Sequence, residues 1–208
     1  MKLLHPFPSR NIQVHLANQN DDLFVESCAI KVRGITSYLN RYQREQASAS
    51  RALVADSLAI LSLKRETLYS ADVISSWTER LLRPIESLIG GNTVLCSVPP
   101  AVPSDLLSGI QLVALALSKQ LDVPYMHDAL TRITPIETSV NRERGNRSIH
   151  YESIAANSAV LGKHIVLLDD VLVSGTTLSA CSELLLAAGA QHICPFSLAQ
   201  VCTQGDIL

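Results

Sequence analysis

Residues 164–177, which read His-Ile-Val-Leu-Leu-Asp-Asp-Val-Leu-Val-Ser-Gly-Thr-Thr, leave this chain few architectures to choose from. Ile165 to Leu168 form an unbroken aliphatic run with β-branched members, which is how a strand buried on both faces of a helix-covered parallel sheet reads. The run meets two adjacent carboxylates, Asp169 and Asp170, so the strand is expected to end there and open into a site. Val173, Ser174, Gly175, Thr176 and Thr177 follow as a small, hydroxyl-bearing loop. Leu178, Cys181, Leu185 and Ala188 then fall at helical spacing, which completes a unit of strand, polar loop and helix.

Amides at a helix N-terminus lack intrahelical partners and lie at the positive end of the dipole, so such a loop can seat a phosphate. Gly175 permits close backbone approach, and the hydroxyls of Ser174, Thr176 and Thr177 can donate to phosphate oxygens. Two carboxylates beside that seat would repel the ligand unless they faced something else. Ribose hydroxyls or a magnesium ion resolve the conflict. The residues therefore predict a sugar-phosphate site, with ribose over the acids and its 5′-phosphate in the loop.

At these positions the chain resembles the type I phosphoribosyltransferases, whose fingerprint is an aliphatic strand, two acids and a small loop ending in a Thr/Ser-Gly-x-Thr pattern. An ordinary strand-to-helix turn of another doubly wound protein is the alternative. The resemblance implies an α/β fold with a mostly parallel sheet flanked by helices. It also implies 5-phosphoribosyl 1-diphosphate as substrate, Mg2+ as cofactor, and a transition state with oxocarbenium character at the anomeric carbon.

A chain of 208 residues accommodates one α/β domain with an appendage. Hydrophobic content of 47% against 17% charged residues marks a folded protein, since disorder needs the reverse balance. A formal charge of −2 gives no overall bias toward nucleic acid or membrane. No apolar run approaches the roughly 20 residues that span a bilayer, and the N-terminus lacks a signal-like apolar core, so the expected compartment is the cytoplasm. Five cysteines are scattered without a C-x-x-C pair and read as small buried hydrophobes, while the six histidines are too dispersed to mark a metal site.

Along the chain, strands are expected over residues 11–16 and 23–32, with a turn between them and an interruption at Gly34. Lys31, Arg33, Arg41, Arg44 and Arg51, with Tyr38 and Tyr42 among them, read as a solvated helix face or a nucleic-acid surface. A helix over residues 45–66 places Val54, Leu58 and Leu61 on one face. A second begins near Ser70 and carries Ile74, Trp77, Leu81, Ile85 and Leu88 as an apolar stripe, with a kink or restart expected at Pro84 and an end at Gly90-Gly91.

Residues 92–98 read as the first core strand, followed by a loop through Pro99 and Pro100, a helix over 106–121 with Ile110, Val113, Leu117 and Leu121 inward, and a short strand over 123–127. Because ligands in open α/β sheets gather at the carboxyl ends of strands, that first loop should lie beside Asp169 and Asp170. Residues 128–158 form a polar insertion of about 30 residues, long for a compact domain. It holds Arg132, Arg142, Arg144 and Arg147, and clustered guanidiniums suit a lid over pyrophosphate; a solvated β-hairpin is the alternative. Residues 191–201 read as a last strand, at an edge or bulged because of Pro195.

The likeness is to the ComF-like branch of the family, through Val98-Pro99 at the end of the first strand, Leu130-Thr131-Arg132, and Arg144-Gly145-Asn146-Arg147. By that resemblance, Val173 to Thr177 hold the 5′-phosphate and Asp169 and Asp170 hold the ribose hydroxyls and the metal. Val98, Pro99, Pro100, Arg144 and Arg147 face the pyrophosphate. The division implied is an N-terminal appendage of hood and helices over residues 1–91 and a phosphoribosyltransferase core over 92–208. Ser108-Gly109-Ile110-Gln111 stands where that branch carries an Arg-Gly-Phe-Asn segment, so a first-loop cation is missing. The partners implied are phosphoribosyl diphosphate and an unidentified nitrogenous acceptor, with a second copy of the chain as a dimer partner. The other class of reading is a regulator or effector that binds the diphosphate or a nucleotide and works with a DNA-processing or phage-defence partner of retron type.

Overall fold

A computed structural model describes residues 26–27, 30–31, 33–45, 50–64, 71–136 and 147–201. In chain order these form β1 (Glu26–Ser27), β2 (Ile30–Lys31), β3 (Arg33–Tyr38), α1 (Arg41–Arg44), α2 (Arg51–Leu63), α3 (Ala71–Glu86), β4 (Thr93–Ser97) and α4 (Gly109–Leu121). They continue as β5 (Leu130–Arg132), α5 (Arg147–Ser153), β6 (Ile154–Ala156), β7 (His164–Leu172), α6 (Thr176–Ala187) and β8 (His192–Val201). The main sheet has the order β3-β8-β7-β4 with every neighbouring pair parallel, so the expected α/β architecture, a mostly parallel sheet flanked by helices, is the one observed.

Side chains alternate across a strand, and the two faces of this sheet are buried under different elements. Val94, Cys96, Ile165 and Leu167 pack against Leu178 and Cys181 of α6. Leu95, Val166, Leu168 and Phe196 pack against α2, α3 and α4 through residues such as Ile60, Trp77 and Leu117. This double cover is why the β4 and β7 sequences are aliphatic runs rather than alternating ones. Cys96 and Cys181 are buried thiols, pushed to higher pKa by desolvation (Cys96 to about 12), and Cys194 is half-buried. Among the described residues no helix is long and apolar enough to cross a membrane.

Gly34 does not interrupt: Arg33–Tyr38 is a six-residue strand in which Gly34 pairs with Ser197, and the β-branched Ile35 and Thr36 suit a row bonded to β8. In place of one strand over 23–32, Glu26–Ser27 and Ile30–Lys31 pair antiparallel; the expected strand over 11–16 lies outside the described residues. Pro195 sits in a strand with neighbours on both sides. Pairing with β3 begins one residue later, at Arg33↔Phe196, so the missing N–H interrupts no bond to that neighbour. Over 123–127 there is one parallel bridge, Leu95↔Tyr125, flanked by Leu95 N–H donating to Pro124 O at 2.8 Å and Met126 N–H to Leu95 O at 2.9 Å.

In α2 the buried face is Ser57, Ile60 and Leu63, while Leu58 is 53% exposed. Hydrophobic spacing hid this because Ser57 is buried with its hydroxyl satisfied, accepting from Leu39 N–H at 2.9 Å and donating to Leu53 O at 2.7 Å. The α3 stripe is as expected, with Trp77, Leu81 and Ile85 buried and Ile74 and Leu88 packed beside them. No restart occurs at Pro84: the helix runs on to Glu86, and the missing N–H removes one bond, that to the carbonyl of Arg80. Position 109, the first of α4, takes glycine because a Cβ there would lie 2.4 Å from Leu63 O; the N-terminus of α4 meets the C-terminus of α2 too closely for a side chain. This contact fixes where Lys64, the residue capping α2, is delivered.

Candidate active site

The strand carrying the acids runs past them. β7 extends to Leu172 because Val171 and Leu172 are buried and pair with Ala199 and Gln200, so Asp169 and Asp170 lie inside the strand rather than at its end. Neighbouring residues of a strand project to opposite faces, and the acids part accordingly. Asp169 lines a recess of about 250 Å3, open mouth included, whose other walls are Val171 to Leu178. Asp170 does not line that recess; its Oδ1 is 3.1 Å from Lys64 Nζ.

The loop beyond β7 has the form its sequence demands. Gly175 adopts φ +75° as the N-cap of α6, a left-handed conformation that side chains rarely take. Ser174 Oγ and Thr176 Oγ1 are 2.8 Å apart, and Thr176 N–H points to Ser174 Oγ at 3.4 Å. Thr177 Oγ1 lies 3.3 Å from His150 Nε2. Hydroxyls and first-turn amides thus surround one small polar recess at the start of a 12-residue helix.

Asp169 is half-buried, and its pKa is pushed up to about 7, first by burial and then by the charge of Asp170. The Asp170 N–H, donated to Asp169 Oδ1 at 2.9 Å, and the Lys64 charge act in the opposite direction. Asp170 alone meets an ammonium group, and its hard carboxylate oxygens are of the kind that hold a cation. Among the described residues no three His, Cys, Asp or Glu side chains cluster as a metal site, so a Mg2+ bound here would draw its remaining ligands from substrate and water.

The first loop reaches the same end of the sheet. Val98 N–H donates to Leu168 O at 2.9 Å, one residue before Asp169. Pro99 and Pro100 line a second recess of about 830 Å3, open mouth included, together with Gln111, His127, Asp128 and Arg132. Arg132, expected among the lid guanidiniums, is instead 6% exposed, with Nε donating to Pro100 O at 3.0 Å and Nη1 to Ser153 Oγ at 2.6 Å. Burial pulls its pKa down. The two ends of the insertion, β5 and β6, pair antiparallel, and Leu130, Arg132 and Ile154 in them are buried rather than solvated. Arg142 and Arg144 lie outside the described residues, and Arg147 is placed only as the first residue of α5.

Two contributors carry no sequence motif. Lys64 stands 106 positions before its partner Asp170, a distance no local pattern bridges. His150 sits in the polar insertion, and only its place in α5, which packs on α6, brings it to the loop.

Residues 108–203 match the family model described as phosphoribosyl transferase domain. The match takes in β7, the loop, α6, β8 and the insertion, somewhat under half of the chain. No curated protein sequence shows significant similarity to the chain. Among solved structures, similarity extends to an allosteric regulatory enzyme of purine biosynthesis (20% identity, TM-score 0.39), of which the chain spans 26% while 60% of this chain is covered. It extends to the hypoxanthine-guanine phosphoribosyltransferase of Bacillus anthracis (16% identity, TM-score 0.43; 65% of this chain and 73% of that one). The hypoxanthine phosphoribosyltransferase of Staphylococcus aureus is similar at 17% identity and TM-score 0.41, over 69% of this chain and 74% of that one.

Proposed function

We propose that the protein is a Mg-dependent phosphoribosyltransferase that transfers the phosphoribosyl group of 5-phosphoribosyl 1-diphosphate to a nitrogenous acceptor and releases pyrophosphate. The observation that carries this reading is the shared recess of Asp169 and the Val173–Thr177 loop. The 5′-phosphate takes the amides and hydroxyls at the start of α6, and the ribose hydroxyls donate to the Asp169 carboxylate. Asp170, on the other side of the strand, binds a cation, with Lys64 as its counter-ion when none is bound.

In this reading the diphosphate enters the second recess, whose walls carry Arg132 and also the carboxylates of Asp105 and Asp128. Arg132 lines it with a buried guanidinium whose partners among the described residues, a carbonyl and a hydroxyl, are both uncharged. A buried charge without a counter-ion is costly, so an anion entering beside Pro99 and Pro100 is stabilised there. Arg132 thereby supplies from the hairpin the cation missing from residues 98–108, which contain no Lys or Arg. Magnesium, when bound, adds charge neutralisation on the departing diphosphate. As the bond from the anomeric carbon to the diphosphate oxygen breaks, the chain's task is to hold both phosphate ends and favour the separated charges; no covalent nucleophile is required. In this reading residues 92–208 are the catalytic core. Residues 1–91 are an appendage whose β3 completes the sheet, whose α2 delivers Lys64, and whose remainder selects the acceptor.

Labelled phosphoribosyl diphosphate incubated with magnesium, pooled nucleobases and the protein should release pyrophosphate, and the Asp169→Asn, Asp170→Asn double variant should lose that release. Release that persists in the double variant removes the enzyme assignment. Tight binding without release by the wild type favours the alternative, a regulator or effector that retains the site. The lack of any basic residue in the first loop is the observation behind that second reading.

A further inference from the structure

α5 belongs to the polar insertion, yet it is tied into both sides of the site. Tyr151 hydroxyl donates to the Glu183 carboxylate of α6, and Ser153 Oγ donates to Ile149 O while accepting from Arg132. Between these anchors His150 is held half-buried with Nε2 3.3 Å from Thr177 Oγ1, and its buried Nδ1 has no hydrogen-bond partner among the described residues. Thr177 lines the recess that takes the phosphate.

Resting on the phosphate reading above, we infer that His150 is a positioning residue of the phosphate seat: by donating Nε2–H to Thr177 Oγ1 it turns the Thr177 hydroxyl proton toward the bound phosphate. The alternative tautomer does the reverse. If Nε2 accepted from Thr177, the hydroxyl proton would be spent on the ring, and Nδ1–H would be an orphaned buried donor, the rarer kind of unsatisfied group. With the proton on Nε2, Nδ1 keeps only a lone pair. Burial, and then the charge of Arg132, lower the His150 pKa and so favour the neutral ring, which has one proton to assign and one nitrogen facing the loop. No group on the ligand contacts His150 in this arrangement; it acts through Thr177.

The test is calorimetry with ribose 5-phosphate and, separately, pyrophosphate, on wild type, His150→Leu and His150→Gln, with folding checked by circular dichroism. Glutamine keeps an N–H at about the reach of Nε2, whereas leucine keeps only the volume. Loss of one oriented hydrogen bond should weaken ribose 5-phosphate binding by roughly fivefold in His150→Leu. His150→Gln should restore most of that loss, and all three proteins should bind pyrophosphate alike. In 15N-detected imidazole spectra, the resonance absent from His150→Gln should report the Nε2–H tautomer in wild type with ribose 5-phosphate. Wild-type affinity in His150→Leu, an equal loss in His150→Gln, or the Nδ1–H tautomer in the complex overturns the inference while leaving the phosphate site standing. Absence of ribose 5-phosphate binding by the wild type overturns both.

Discussion

Replacing Gly175 with valine should abolish ribose 5-phosphate binding while leaving a folded protein. Gly175 holds φ +75° at the point where chain becomes helix, so a β-branched side chain there costs about 1–2 kcal/mol in backbone strain. A loss of that size lowers the thermal midpoint by a few degrees. The effect on binding is larger, because the new side chain stands where amides must approach an anion. Losing two charge-assisted hydrogen bonds at roughly 1.5–3 kcal/mol each weakens the ligand by about 100-fold or more. Gly162→Val is the matched control. Gly162 also has φ +71° with open space around it, and it lies outside the recess, so its substitution should destabilise comparably and leave ribose 5-phosphate affinity unchanged. Equal affinity in Gly175→Val, measured by calorimetry, would remove the loop from the site.

Asp169→Asn should stabilise the fold at alkaline pH and at the same time lose the sugar. The folded-state pKa of Asp169 is raised from 3.8 to about 7, so its favourable contribution is complete below pH 4 and is lost as the pH rises through 7. Above that, the wild type carries a half-buried carboxylate beside Asp170, a burden of about 1–2 kcal/mol once solvent exposure is discounted. Melting curves should show the variant more stable than wild type at pH 8.5, with the difference shrinking toward pH 4. A stabilised variant that no longer binds is the pattern of a site kept for function at the expense of stability. A destabilised variant at pH 8.5 would mean the carboxylate is held by favourable contacts instead.

The parts of this molecule legible in sequence are those where local chemistry decides the outcome. The aliphatic β7, the glycine-hydroxyl loop and the Trp77 stripe were readable because burial on both faces, a left-handed turn and helical spacing each leave a composition mark. Misread elements are those where distant neighbours overrule local preference. Arg33–Tyr38 becomes a strand because β8 offers an open edge, and Pro195 is tolerated because that edge is first paired one residue later. Ser57 faces inward because Leu39, 18 positions away, supplies a donor. The partition of the acids was hidden for a different reason. A two-residue motif does not tell which member faces the loop, and Lys64 arrives from a helix placed by the Gly109–Leu63 contact.

The proposed activity requires that a single phosphorylated pentose be held jointly by the loop and the acids of β7. Titrating 5-phosphoribosyl 1-diphosphate into the protein with magnesium should give saturable heat for one site per chain, reduced below detection when Asp169 and Asp170 are both changed to asparagine. No binding by the wild type, or undiminished binding by the double variant, would contradict it.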